Sequence, residues 1–182
     1  MRSLLSALVL LLYSTTALSE SAASQQESEL YASLLSWAVK LSGYPQPAAA
    51  PKVEFVPQSY FNEHACKGKR CRVWGWYPNT GEHVVYVHEA ARELIADSSD
   101  PKSLLAASII VHEFTHYLQA VKRDFAPYTC AQSIELEREA YSVQNAYIIA
   151  YGRYMQVGIA IQNSGCEGSA SESTGQTDAQ TQ

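Results

Sequence analysis

The feature that most constrains the fold is an apolar run, Leu104 to Val111, that leads directly into His112, Glu113 and His116. Asp100 followed by Pro101 is a helix-start signature, so the spacing predicts a helix from about Pro101 to Val121. Such a helix has to be covered along its apolar length. The three polar side chains at its centre then need partners or a polar site of their own. Four residues separate the histidines, about one helical turn, so both imidazoles share a face and can bind the same Zn²⁺. Glu113 stands one residue round from His112, near enough to reach a metal-activated water and take its proton as the water attacks a carbonyl. By residue frequencies, H-E-x-x-H arises by chance on the order of once in a few hundred chains of this length.

The covering must come from a modest length of chain. Of 182 residues, the first twenty read MRSLLSALVLLLYSTTALSE: a basic Arg2, an apolar stretch Leu4 to Leu12, and a small-residue pattern at Ala17-Leu18-Ser19. This is the pattern of a signal peptide over residues 1–19, and the apolar stretch is about half the length of a membrane span. With no second stretch of that kind, the sequence predicts an exported chain, periplasmic or secreted, with no transmembrane segment in its mature form. The last segment, from Ser164, is Ser, Gly, Thr and Gln with three acids, and residues 164–182 read as a disordered tail. One domain over 20–163 remains, with roughly 135 residues of it from Ser28 onward able to build structure. The net charge of −5 argues against a nucleic-acid protein. Twelve Tyr against four Phe imply that part of the core or a cleft is amphipathic.

Within that core, Leu30, Leu34, Trp37 and Leu41 recur at helical spacing and predict a helix from about Glu29 to Leu41, with Ser28 before it as N-cap. KVEFV alternates as a short strand. RVWGWY and HVVYVH read as two strands of a hairpin, with Asn79 and Gly81 supplying turn chemistry. Glu89 to Ile95 predicts a short helix. From about Ala131 a long helical pattern follows, interrupted near Gly152 and ending by Asn163. The expected class is α+β: a small antiparallel sheet packed on the motif helix and the long helix after it.

A metal site built on His112 and His116 needs a third protein ligand and one open position. The segment IELEREAYSVQNAY offers Glu135, Glu137 and Glu139. Leu136, Ala140, Val143 and Tyr147 form its apolar stripe, with Glu139 about 70° and Glu135 about 110° from the stripe centre. Glu137 points away from both. Inward position therefore favours Glu139 as third ligand, with Glu135 as the alternative.

His112-Glu113-x-x-His116 followed by a glutamate on a later helix resembles the gluzincin zinc peptidases, the thermolysin and aminopeptidase group. In that group Ala or Gly typically follows the glutamate ligand, as in Glu139-Ala140, whereas the family's spacing favours Glu135. A narrower resemblance is to small exported bacterial proteins that look like zinc peptidases. It rests on Cys66/Cys71, Gly75-Trp76-Tyr77, His112 to Gln119 and Glu137 to Gln144, and covers less than half of the chain. The extended third-histidine motif of metzincins is missing. These resemblances imply a zincin-like core, a peptide or protein substrate, Zn²⁺ at His112, His116 and Glu139, and Glu113 as general base.

The remaining residues are less committed. His88, Tyr86, Tyr117 and Tyr141 are candidates to stabilise an oxyanion, each more readily explained by packing. HVVYVH could offer its backbone to an extended peptide, or be an ordinary internal strand. Gln119 shares the histidine face and could support the ligands. His64 and His83 carry no expected role, and Lys67, Lys69, Arg70 and Arg72 read as a solvated loop. Export favours disulfides, with Cys66–Cys71 the easiest pair. Cys130 and Cys166 then remain, and a straight helix from 131 to 163 would hold its ends roughly 50 Å apart. Either the chain reverses near Gly152 or the cysteines pair otherwise; a four-cysteine zinc site is the other alternative, with poor spacing. The expected function is an exported zinc metallopeptidase. The alternatives are a catalytically silent zinc-binding or assembly protein, and a zinc hydrolase acting on a non-peptide amide.

Overall fold

The structure, a computed structural model, describes residues 24–78, 80–123 and 129–166. The expected signal peptide, Asn79 of the expected turn and nearly all of the expected tail lie outside the described residues.

Helix α1 covers residues 24–42, with Leu34, Leu35 and Ala38 buried in the core. Strand β1 (Lys52–Val56) and a short helix α2 (Gln58–His64) follow, then strand β2 (Gly75–Trp76), strand β3 (Val84–His88) and helix α3 (Ala90–Ala96). The long helices are α4 (Ser103–Lys122) and α5 (Cys130–Ala150), and α6 (Ile159–Gln162) is a single turn. The class is α+β, as the patterning indicated.

The sheet differs from expectation in one respect. Its order is β1-β3-β2, with β2 antiparallel to β3 but β1 parallel to it. The hairpin fixes β2 on one side of β3, and α2 turns the chain after β1 so that β1 takes the other side in the same direction as β3. HVVYVH is consequently the central strand, paired on both sides, and β1 and β2 are the edges. Val85 and Val87 are fully buried and alternate with Tyr86 and His88 on the opposite face, as a half-covered strand requires.

Helix α4 packs against β2, β3, α3 and α5, and Ile110, Val111, Phe114 and Leu118 fill the centre of the core. It starts two residues later than its sequence signature. Asp100 Oδ1 accepts from the Lys102 N–H at 2.7 Å and the Ser103 N–H reaches the Asp100 carbonyl at 2.9 Å. Asp100 thus closes a tight turn in front of the helix instead of capping it. Helix α5 has a full capping box, in which Thr129 and Gln132 each accept from the other's backbone N–H. Its expected stripe, Leu136, Ala140, Val143 and Tyr147, is buried.

The chain reverses at Gly152, whose φ of +73° is cheap only for glycine. Residues 151–166 then run back along α5 as a strap. Asn145 clasps Val157 through two bonds, Nδ2 to the carbonyl at 3.0 Å and the Val157 N–H to Oδ1 at 2.8 Å. Arg138 donates to the carbonyls of Ile161, Gln162 and Ser164. The disulfide Cys130–Cys166 closes the strap, and Cys66–Cys71 closes the basic loop. No helix among the described residues is long and apolar enough to cross a membrane.

Candidate metal centre

The site forms where α4 and α5 face each other beneath β2. One turn of α4 carries His112 and His116 on the same face, and their Nε2 atoms stand 3.1 Å apart. The acid that meets them is Glu137. Its Oε2 lies 3.4 Å from His112 Nε2 and its Oε1 lies 3.4 Å from His116 Nε2. Among the described residues, His112, His116 and Glu137 are a group that could hold a metal ion.

The expected ligands Glu139 and Glu135 are not part of this group. Glu139 Oε2 instead accepts from Tyr44 Oη at 2.9 Å and from Gln119 Nε2 at 3.0 Å, with Arg123 Nη2 at 3.7 Å. The physical reason lies in the helical wheel of α5. Glu137 and Glu139 sit on opposite flanks of the buried stripe, at roughly 90° and 70° from its centre. The angle measures how far inward an acid points, not which flank α4 presents its histidines to. One signal in the sequence did point to the right flank. Glu137, Tyr141 and Gln144 recur at i, i+4 and i+7, a polar line beside the apolar one, and all three border the cleft.

Glu113 is 5% exposed and lies under β2. A Cβ on Gly75 would stand 2.5 Å from Glu113 Oε1, so the strand approaches the carboxylate as closely as it does only because residue 75 has no side chain. Burial pushes the Glu113 carboxyl up to about 7, opposed by the His116 charge and a hydrogen bond from the Tyr77 backbone N–H. Burial alone would also raise Glu137, yet hydrogen bonds from His112 and His116 and the charge they carry hold it well below the usual carboxylate range. Burial works against charge on His116 as well. Its bond to Glu137 and the nearby Glu113 and Glu137 charges nonetheless carry it up to about 9. His112 is lowered, chiefly by burial, and its Nδ1 is buried with no hydrogen-bond partner among the described residues. Two histidines and two acids packed this tightly with one buried nitrogen left over form a donor set suited to a cation.

No family model, curated protein or solved structure matches this chain.

A cleft of about 1210 Å³ opens over the three donors. Trp74, Gly75, Trp76 and Tyr77 border it along β2, Leu105 and Ile109 along α4, and Val157 and Gly158 along the strap. Tyr141 is the one oxyanion candidate that lines it, its ring 4.4 Å from that of His112. The other three are engaged elsewhere. Tyr117 Oη donates to the Ala49 carbonyl. Tyr86 packs with Tyr60 and Trp76, and His88 with Phe61 and Trp74. The His64 ring lies tilted against Tyr60, and His83 Nδ1 meets Tyr77 Oη at 3.2 Å. Of the basic loop, Arg72 reaches the rim of the cleft.

Proposed function

We propose that this chain is a zinc-dependent metallopeptidase of the gluzincin type, with His112, His116 and Glu137 as ligands and Glu113 as general base. The observation that carries the reading is the spacing of the three donors beside a buried carboxylate at the floor of an open cleft. Ligand atoms on zinc bonds of 2.0–2.1 Å at tetrahedral angles stand roughly 3.3 Å apart. His112 and His116 Nε2 stand 3.1 Å apart, and each lies 3.4 Å from a different oxygen of Glu137. One atom from each residue falls within 4.8 Å of the others, so the carboxylate straddles the two imidazoles around one common position. Two imidazoles and a carboxylate also favour zinc over calcium or magnesium, which prefer all-oxygen sites.

Zinc bound there would supply a nucleophilic water near neutral pH and polarise a substrate carbonyl. The rest of the chemistry belongs to the chain. Glu113, buried beside the donors under β2, stands where it can take a proton and return it to a leaving amine. Tyr141, on the cleft side of α5, is placed to meet the substrate beside the metal position. The outer edge of β2 borders the cleft and suits an extended peptide, which adds backbone hydrogen bonds to a strand edge. The Cys66–Cys71 and Cys130–Cys166 disulfides agree with an exported location.

The test is zinc content together with turnover on a peptide library. The expected result is about one zinc per chain after reconstitution and cleavage that falls roughly 10²–10⁴-fold in Glu113→Gln. Less than about a tenth of an equivalent of zinc would overturn the metal site. Zinc-loaded wild type that cuts no more than Glu113→Gln would overturn the peptidase and leave a zinc-holding binding protein.

A further inference from the structure

We propose that Gln119 is a positioning residue for the metal centre: its side-chain amide, oriented by Glu139 and Leu136, fixes the proton of His116 on Nδ1 and leaves Nε2 free to bind metal. The inference rests on the metal reading above and assigns a role to the acid that the sequence put forward as a ligand.

A glutamine amide can present either its oxygen or its nitrogen to a neighbour, and its hydrogen-bond network decides which. Gln119 is 2% exposed, so no solvent can take up an unpaired group. Its Nε2 lies 3.0 Å from the Leu136 carbonyl and 3.0 Å from Glu139 Oε2. A main-chain carbonyl and an ionised carboxylate can only accept. Both N–H bonds of the amide are thereby committed. The opposite orientation would set Oε1 against two acceptors and bury several unmade bonds, each costly.

The amide oxygen is accordingly turned to His116 Nδ1, at 2.8 Å. An oxygen with no hydrogen needs an N–H opposite it, so Nδ1 is the protonated nitrogen. In the neutral imidazole the lone pair is then on Nε2, the atom that faces His112 and Glu137. Glu139 is itself held from outside α5. Tyr44 Oη donates to the same Oε2 at 2.9 Å, and Arg123 Nη2 lies at 3.7 Å. The line Tyr44–Glu139–Gln119–His116 thus carries a fixed polarity from the end of α1 to the metal position. His112 has no relay of this kind: its Nδ1 is without a hydrogen-bond partner among the described residues, and the amide that interacts with its ring is that of Gln144.

The experiment uses the full, disulfide-bonded chain. Zn²⁺ affinity is measured by chelator competition, and the His116 Nδ1 proton is followed by ¹H–¹⁵N NMR, with circular dichroism as the folding control. Gln119→Leu, of similar size, is expected to weaken zinc binding about 10–100-fold and to abolish the slowly exchanging Nδ1 proton signal. Affinity within about threefold of wild type, or an unchanged Nδ1 signal, overturns the proposal. Should Gln119→Leu fail to fold, Glu139→Gln decides. It removes the acceptor-only partner, and a drop of roughly three- to tenfold is expected; no change overturns the proposal. If the wild type binds no zinc, the metal reading has failed. The relay is then judged on the Nδ1 signal in metal-free protein, where its presence in wild type and loss in Gln119→Leu support it, and any other result overturns it.

Discussion

Two glutamates two residues apart on α5 have opposite surroundings. On the cleft flank, Glu137 shares its carboxylate between two histidines and borders open space with Tyr141 and Gln144. On the closed flank, Glu139 is surrounded by donors, with Tyr44, Gln119 and Arg123 all directed at one oxygen. The first acid has unspent accepting capacity aimed at a point where a cation fits. The second has its Oε2 committed to three donors of the protein. Depth of burial does not distinguish these roles; the identity of the neighbours does.

The largest test of this contrast is removal of the cleft acid. Glu137→Gln is expected to weaken Zn²⁺ binding about a thousandfold, roughly 4 kcal/mol, as measured by competition with a chelator. A loss no greater than that of Glu139→Gln would abolish the distinction between the flanks.

A second test concerns Glu113, the buried acid beneath the cleft. Its folded carboxyl near 7 lies above its ordinary value of 4.5, so the folded state holds the proton longer than the unfolded state. Metal-free protein therefore loses stability from this group as pH rises from about 4.5 to about 7, and the loss is complete above that. Glu137 and His116 shift in other directions, so the readout is a difference between two proteins. Relative to wild type, metal-free Glu113→Gln should gain about 3 kcal/mol on going from pH 4.5 to pH 8 in urea titrations. A pH-independent difference would show that Glu113 is not desolvated.

Gly75→Ala probes the roof over the same acid. Its Cβ has no room beside Glu113, and a stability loss of roughly 1–3 kcal/mol is expected in thermal unfolding. A neutral effect would mean that β2 moves aside freely. The smallest change belongs to the closed flank, where Glu139→Gln should lower zinc affinity about tenfold or less. A larger loss would give Glu139 a more direct part in the site than its contacts imply.

The sequence made half of this site legible. His112, Glu113 and His116 could be read because one helix carries them and a helix has a known period. The third member of the candidate group sits on another helix, and its identity depends on how α5 is rotated against α4. Two acids on opposite sides of one apolar stripe are nearly equivalent until a partner helix breaks the symmetry. The same limit applied to the sheet. Alternation marked Val85 and Val87 as inward, but nothing in KVEFV states which way β1 runs beside β3. Helix α2 escaped because Phe61 is its one buried residue, and a single anchor has no periodicity. The reversal at Gly152 was one of two outcomes the cysteine positions allowed, and the Cys130–Cys166 bond selects it.

The Cys130–Cys166 bond also sets a load path. It joins the first residue of α5 to the far end of the strap, so residues 130 to 166 form a covalent ring that includes the cleft wall at Val157 and Gly158. Tension applied through the chain beyond Cys166 passes across the sulfurs to the start of α5 and bypasses the wall. The ring keeps the strap's side of the cleft, at Val157 and Gly158, out of the path of such a pull.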